Sequence, residues 1–143
     1  MQRSSLLAVV AVAMIAAATG CSKTPAVVPV SGKVLYNGKP MPYGYVLFQP
    51  EQGQPAEGEI QSDGSFQLSS YGPKDGAVPG RHKISVRCFS GQKAGAAQEG
   101  SSPGKLMIPQ KYTRFGMSGL SAEIKAGANE PVVIELEGPP VQF

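Results

Sequence analysis

The sequence contains no tryptophan, one histidine and two cysteines among its 143 residues. One histidine with two cysteines excludes the multi-histidine and cysteine-rich frameworks that hold metals in small domains. Charge is also sparse, with 13 Lys+Arg against 10 Asp+Glu and a formal net charge of +3. This excess is scattered along the chain, so it does not support a nucleic-acid interface. We expect no metal, no cofactor and no nucleic-acid partner.

Glycine and proline are abundant by contrast, at 18 and 13 residues. Residues of these two types interrupt long helices and suit short strands joined by turns. A helical bundle is therefore disfavoured. The length allows one domain at most.

The first 20 residues have the pattern of a bacterial secretory signal peptide. An apolar run from Leu6 to Ala18 would reach roughly 20 Å as a helix, which is less than the ~30 Å hydrocarbon core of a bilayer. Ala18, Thr19 and Gly20 then precede Cys21, as in the lipobox at which bacterial lipoproteins are cleaved and acylated. We predict a signal peptide over residues 1–20, lipidation of Cys21 and a membrane partner through that lipid.

Ordinary cleavage after Ala18 is the alternative, and it would leave Cys21 as a free thiol. In an exported protein that thiol could form a disulfide with Cys88, so the two fates of Cys21 stay open. Ser22 occupies the position at which an Asp retains some lipoproteins at the inner membrane. Its presence favours the outer membrane or the cell surface.

Short alternating segments indicate strands between residues 30 and 137. Asn37-Gly38 predicts a tight turn after the first of them. A three-residue loop, Ser62-Asp63-Gly64, predicts a hairpin in which Ile60 faces Phe66 and Gly58 faces Leu68. Ile84, Val86 and Cys88 point inward from a strand over residues 82–89, and the alternate residues Lys83, Ser85 and Arg87 point outward. Cys88 is therefore predicted to be buried with a raised pKa.

Counting every such segment predicts seven strands and a single all-β sandwich over residues 30–137. A flexible tether over residues 21–29 precedes it, and a C-terminal tail over residues 138–143 follows and is expected to fray. Residues 90–104 contain no large apolar side chain, and this composition predicts a long surface loop.

Three motifs occur in an order that resembles a known family: residues 30–42, Asp63-Gly64-Ser65-Phe66 and residues 78–86. They resemble the carboxypeptidase regulatory-like, transthyretin-like domains of many small bacterial lipoproteins, and the resemblance covers residues 28–137. It implies a seven-stranded Greek-key β-sandwich without intrinsic catalysis. The chain departs from that family at His82, where an aromatic residue is usual.

These features favour a lipid-anchored, non-enzymatic protein of the cell envelope that acts as a binding or structural module. A polysaccharide or an envelope protein could dock on exposed aromatic side chains, and the candidates are Tyr43, Tyr71, Tyr112 and Phe115. The alternative for these side chains is that they cover the edges of the core.

Two other functions stay open. One is a small transthyretin-like hydrolase that uses His82, although a single histidine and the ending Val141-Gln142-Phe143 lack the residues of the related 5-hydroxyisourate hydrolases. The other is a passive component of the surface coat.

Overall fold

A computed structural model describes residues 26–92 and 104–143, which form two β-sheets packed face to face. The predicted all-β class is confirmed. The predicted signal peptide, the predicted lipidation site Cys21 and residues 93–103 of the predicted loop lie outside the described residues. The strands are β1 (Ser31–Tyr36), β2 (Lys39–Pro40), β3 (Tyr45–Pro50), β4 (Ala56–Glu59), β5 (Ser65–Gln67), β6 (Gly80–Arg87), β7 (Leu120–Ile124) and β8 (Val132–Leu136), and a 3₁₀ helix spans Gln110–Thr113.

The first sheet is built around β1. Strand β8 runs parallel to it on one side, with Gly32 beside Val132 and Tyr36 beside Leu136. On the other side β5 pairs with the start of β1, and the short β2 pairs with its end. The second sheet is antiparallel throughout, in the order β4-β3-β6-β7.

Eight strands are present in the described ranges, so the predicted number of seven is one too low. The additional strand is β2, whose two residues follow the Asn37-Gly38 turn directly and pair back onto β1. Both turn residues have positive φ, at 50° and 78°, which is the conformation of a type I′ hairpin turn. A turn this tight brings the next two residues into register with β1, and the amide of the following Met41 donates to the Val34 carbonyl oxygen at 3.0 Å.

The hairpin of β4 and β5 has the predicted register. Gln61 donates its amide to the Ser65 carbonyl at 2.8 Å, and Glu57 pairs with Ser69. The same register places Ile60 opposite Phe66, around a loop in which Gly64 has φ 82°. Because β4 belongs to the second sheet and β5 to the first, this hairpin forms a corner that joins the two sheets.

The core fills the space between the sheets. Phe48 from β3 and Phe66 from β5 lie with ring centroids 5.9 Å apart, and Val34, Val46, Val86 and Leu136 are fully buried around them. The period-two alternation of the strands supplies these inward positions, as the sequence predicts.

The two ends of the sandwich differ. At the proximal end, where β1 begins, Val28 exchanges two backbone hydrogen bonds with Ala77, at 2.9 and 3.0 Å. At the distal end, where β1 terminates, the 3₁₀ helix inserts Tyr112 into the core. The C-terminal tail is packed there rather than frayed, because the Phe143 ring contacts Tyr36 edge-on with centroids 5.5 Å apart.

Candidate functional site

The four predicted ligand-binding aromatics do not form one exposed surface. Tyr43 and Tyr112 are buried, with 8% and 5% of their surfaces exposed. Phe115 is half-buried, and Tyr71 is exposed, in the loop that precedes Ala77. Tyr43 and Tyr112 therefore cover the edge of the core, which is the alternative to ligand binding that the sequence left open. Sequence parity could not separate a core-edge tyrosine from an exposed one.

Burial changes the chemistry of three tyrosines. Desolvation raises the pKa of Tyr36, with a smaller effect from Tyr112, and raises the pKa of Tyr43, with a smaller effect from Cys88. The pKa of Tyr45 is raised by burial first, and then by Glu59 and Glu57 on the neighbouring strand. These phenols stay neutral at physiological pH.

His82 lies fully buried on the inward face of β6. Its Nε2 is 2.8 Å from the Val78 carbonyl oxygen, and its ring packs 6.0 Å from that of Phe48. Nδ1 has no hydrogen-bond partner. Neither ring nitrogen therefore bonds a serine hydroxyl or a carboxylate, which a catalytic triad requires.

Cys88 is the buried cysteine that the sequence predicts. Burial raises the pKa of its thiol to about 12, so the unreactive neutral form is present at physiological pH. Ser85, two strand positions before Arg87, differs from its predicted outward exposure. It is fully buried and its hydroxyl oxygen has no partner, although its neighbours Lys83 and Arg87 are exposed.

A polar groove of about 770 Å³ lies on the outside of the sheet corner. We call it the corner groove. The polar side chains in it are Ser31 and Lys33 from β1, Ser65 and Gln67 from β5, Glu57 and Glu59 from β4, and Gln61, Ser69 and Lys74 from the adjoining loops. A second concavity of about 500 Å³ shares Ser31, Gln67 and Lys74 with it and extends to Val28 at the proximal end.

Strand register places these polar groups side by side. Ser31 lies opposite Gln67 and Lys33 lies opposite Ser65, so hydroxyls, an amide and an ammonium alternate across two strands. The sequence could not show the groove, because its residues come from segments that are distant along the chain. Hydroxyl, amide and carboxylate groups at this spacing can exchange hydrogen bonds with a polyhydroxylated ligand.

Asp75 organises the loop that borders the corner groove. Its carboxylate accepts the backbone amides of Ser70, Tyr71 and Gly72, at 2.7, 3.0 and 2.8 Å. Those bonds, that of Ser70 first, lower the pKa of Asp75. The loop thereby holds Lys74, whose φ is 57°, at the rim of the groove.

In residues 26–92 and 104–143, no group of three or more His, Cys, Asp or Glu side chains could hold a metal ion. Within the same ranges no helix is long and apolar enough to cross a bilayer. Comparison with known proteins gave no match, whether to a family model, to a curated protein or to a solved structure.

Proposed function

We propose that the chain is a lipid-anchored, non-enzymatic protein of the cell envelope, exported by residues 1–20 and held to the outer membrane or cell surface through Cys21. The observation that carries this proposal is the Leu6–Ala18 apolar run ending in Thr19-Gly20-Cys21. Support also comes from where the fold begins. Val28, seven residues after Cys21, is already fixed to Ala77 by two hydrogen bonds.

A tether this short keeps the domain close to its anchor. Seven extended residues span at most about 24 Å. The proximal end of the sandwich therefore lies next to the membrane, and the distal end points away from it. Such an arrangement suits a module that presents its outer surfaces within the envelope.

The competing fate of Cys21, a disulfide with Cys88, has less support. Cys88 lies just beyond the last residue of β6, whereas the chain meets Ala77 near the first residue of that strand. Eight strand residues span about 27 Å, which is close to the greatest reach of the tether and a disulfide together, so the tether would have to be almost fully extended. The Cys88 thiol also faces the core, so a disulfide would require the end of the sandwich to open.

Intact mass of the protein purified from membranes tests the proposal. A mature chain that begins at Cys21 and carries acyl mass supports it. A chain without acyl mass that is lighter by two hydrogens would show the disulfide instead.

The finer description of the fold belongs to the same proposal. We propose a Greek-key sandwich of the transthyretin-like kind, as the sequence motifs suggest. Its support is that the connections β2–β3, β4–β5, β5–β6 and β7–β8 each cross from one sheet to the other, and that the first and last strands pair in parallel. Frequent crossing between sheets is typical of Greek-key sandwiches.

Binding of a polysaccharide is a second candidate function, and the corner groove favours it. Its polar groups and open shape suit a segment of an extended sugar chain. Titration of isotope-labelled protein with soluble envelope oligosaccharides, followed by NMR, tests this candidate. We expect Gln67→Ala in the groove to weaken the shifts, and Gln110→Ala on the 3₁₀ helix to leave them unchanged. Equal shifts in both variants would exclude the groove.

A hydrolase that uses His82 has little support. A fully buried ring that bonds Val78 and packs on Phe48 leaves no space for substrate. If a hydrolytic activity is nevertheless found, loss of that activity in a folded His82→Gln variant would favour the enzyme over the binding module.

A further inference from the structure

On the outer face of the second sheet, side chains of opposite charge lie on the two sides of strand β3. Tyr45 on β3 has Glu59 of β4 as its neighbour on one side and Arg87 of β6 on the other. All three side chains point away from the core, because Val46, Gly58 and Val86 beside them in sequence point inward. A carboxylate, a phenol and a guanidinium therefore form one row across three strands.

The next two rows keep only part of this order, because Ser85 is an uncharged and fully buried residue and β4 ends before the third row. Leu47 lies between Glu57 of β4 and Ser85 of β6, and Gln49 lies beside Lys83. The β4 side of the face is thus acidic and the β6 side basic. Between them, Tyr45 and Leu47 give β3 a partly exposed apolar centre.

We propose that this face pairs with the same face of a second copy of the chain. A two-fold axis parallel to β3 places β4 of one copy over β6 of the other, because the two strands flank β3 at equal distance. Glu59 then faces the partner's Arg87, and Arg87 faces the partner's Glu59. Tyr45 and Leu47 meet their own counterparts at the centre, which is the arrangement of an isologous interface.

The size of the face determines where pairing occurs. The three strands that face each other, β4, β3 and β6, lie about 4.8 Å apart and overlap over about five residues, so each copy presents roughly 250 Å². The total is below the ~1,200 Å² of stable complexes, so the dimer is weak in dilute solution. Confinement of both copies to one membrane raises their local concentration, and this step rests on the proposed lipid anchor. Glu57 and Glu59 also line the corner groove, so pairing covers one of its walls.

Cross-linking of the full-length chain in bacterial membranes tests the pairing. Tyr45→Cys places a thiol at the centre of the face, and a short bismaleimide can join two such thiols. The chain with its native Tyr45 sets the baseline, since Cys88 is buried and the proposed lipid occupies the sulfur of Cys21. Val133→Cys is the matched control, because Val133 is 64% exposed on the other sheet. We expect a covalent dimer from Tyr45→Cys and none from Val133→Cys.

Charge reversal makes the test specific. Adding Glu59→Arg or Arg87→Glu to Tyr45→Cys juxtaposes like charges, and we expect each to reduce the dimer yield by about tenfold. The double reversal restores opposite charges and is expected to restore the yield. The pairing is refuted if either single reversal gives the same dimer yield as Tyr45→Cys alone, or if the double reversal does not restore that yield. It is also refuted if Val133→Cys gives the same yield as Tyr45→Cys.

The same reaction on purified full-length chain at millimolar concentration separates this proposal from the anchor. A chain that fractionates away from membranes but cross-links with this charge pattern refutes the anchor and supports the pairing. A chain that stays in the membrane and does not cross-link supports the anchor and refutes the pairing.

Discussion

The Tyr112 hydroxyl makes two hydrogen bonds with the backbone of Glu137: it donates to the carbonyl oxygen at 3.1 Å and accepts the amide at 3.0 Å. Tyr112 belongs to the 3₁₀ helix, and Glu137 directly follows β8. This pair of bonds fastens the helix to the distal end of the first sheet. It also satisfies backbone groups that no strand partner reaches.

Tyr112→Phe tests the importance of that attachment. The change keeps the buried ring and leaves the Glu137 amide and carbonyl without their partner. We expect the free energy of unfolding to fall by about 1–3 kcal/mol, measured by urea denaturation. Tyr71→Phe is the control, because Tyr71 is 46% exposed and should change stability little. Equal effects of the two substitutions would contradict this role.

Gly32 allows β1 and β8 to approach closely while the Phe66 ring packs over them. A β-carbon at this position would lie 2.2 Å from the Val132 carbonyl oxygen and 2.4 Å from the Phe66 ring. We expect Gly32→Ala to destabilise the fold by about 3 kcal/mol or more, since backbone and core must both shift. Gly127→Ala meets no atom within 4 Å and serves as the control. A thermal melt in which both variants match the parent would show that the packing is looser than described.

The buried thiol of Cys88 makes stability depend on alkaline pH. Its pKa is raised from 9.0 to about 12, so the unfolded chain ionises at lower pH than the folded one. The contribution of the buried, neutral Cys88 thiol to stability is fully present below the thiol pKa of the unfolded chain. It is lost progressively as the pH rises toward the thiol pKa of the folded chain. We expect the parent to lose up to about 1.4 kcal/mol per pH unit relative to Cys88→Val above pH 9.

Paired denaturation curves of the two proteins between neutral pH and pH 10.5 would measure this difference. Tyr36 and Tyr45 also have raised pKa values, but their causes are common to both proteins and cancel. Burial, the main cause of the raised pKa of Tyr43, is also common to both, and the substitution removes only the smaller effect of Cys88. A difference in stability that does not vary with pH would mean that the thiol is not buried.

His82 contributes to the core through its contact with Phe48 and its hydrogen bond to Val78. We expect His82→Ala to lower the free energy of unfolding by about 2–4 kcal/mol, as for other large buried side chains cut to alanine. Lys83→Ala, at the exposed neighbouring position, should have little effect. A His82→Ala protein as stable as the parent would show that His82 does not stabilise the core.

Local patterns predicted the parts of the fold that depend on neighbours in sequence. The Asn37-Gly38 turn, the hairpin register at Ile60 and Phe66, and the burial of Cys88 each follow from turn chemistry or from alternation over a few residues. The two residues of β2 escaped prediction because they are too few to show a period.

Contacts between distant segments were beyond such reasoning. Tyr36 meets the tail, with its hydroxyl 2.8 Å from the Pro139 carbonyl oxygen, across 103 positions of the chain. The corner groove likewise combines three strands, and Ser85 is buried on a face where alternation predicts exposure. Only the packing of the sheets determines these features.

The anchor at Cys21 is the central claim, and labelling with a clickable fatty-acid analogue followed by membrane fractionation tests it most directly. The full-length chain is expected to incorporate the label and to sediment with outer membranes, and Cys21→Ser is expected to lose both properties while Cys88→Ser keeps the label. An unlabelled chain recovered in the soluble fraction, or a Cys21→Ser variant labelled as strongly as the parent, would contradict the account.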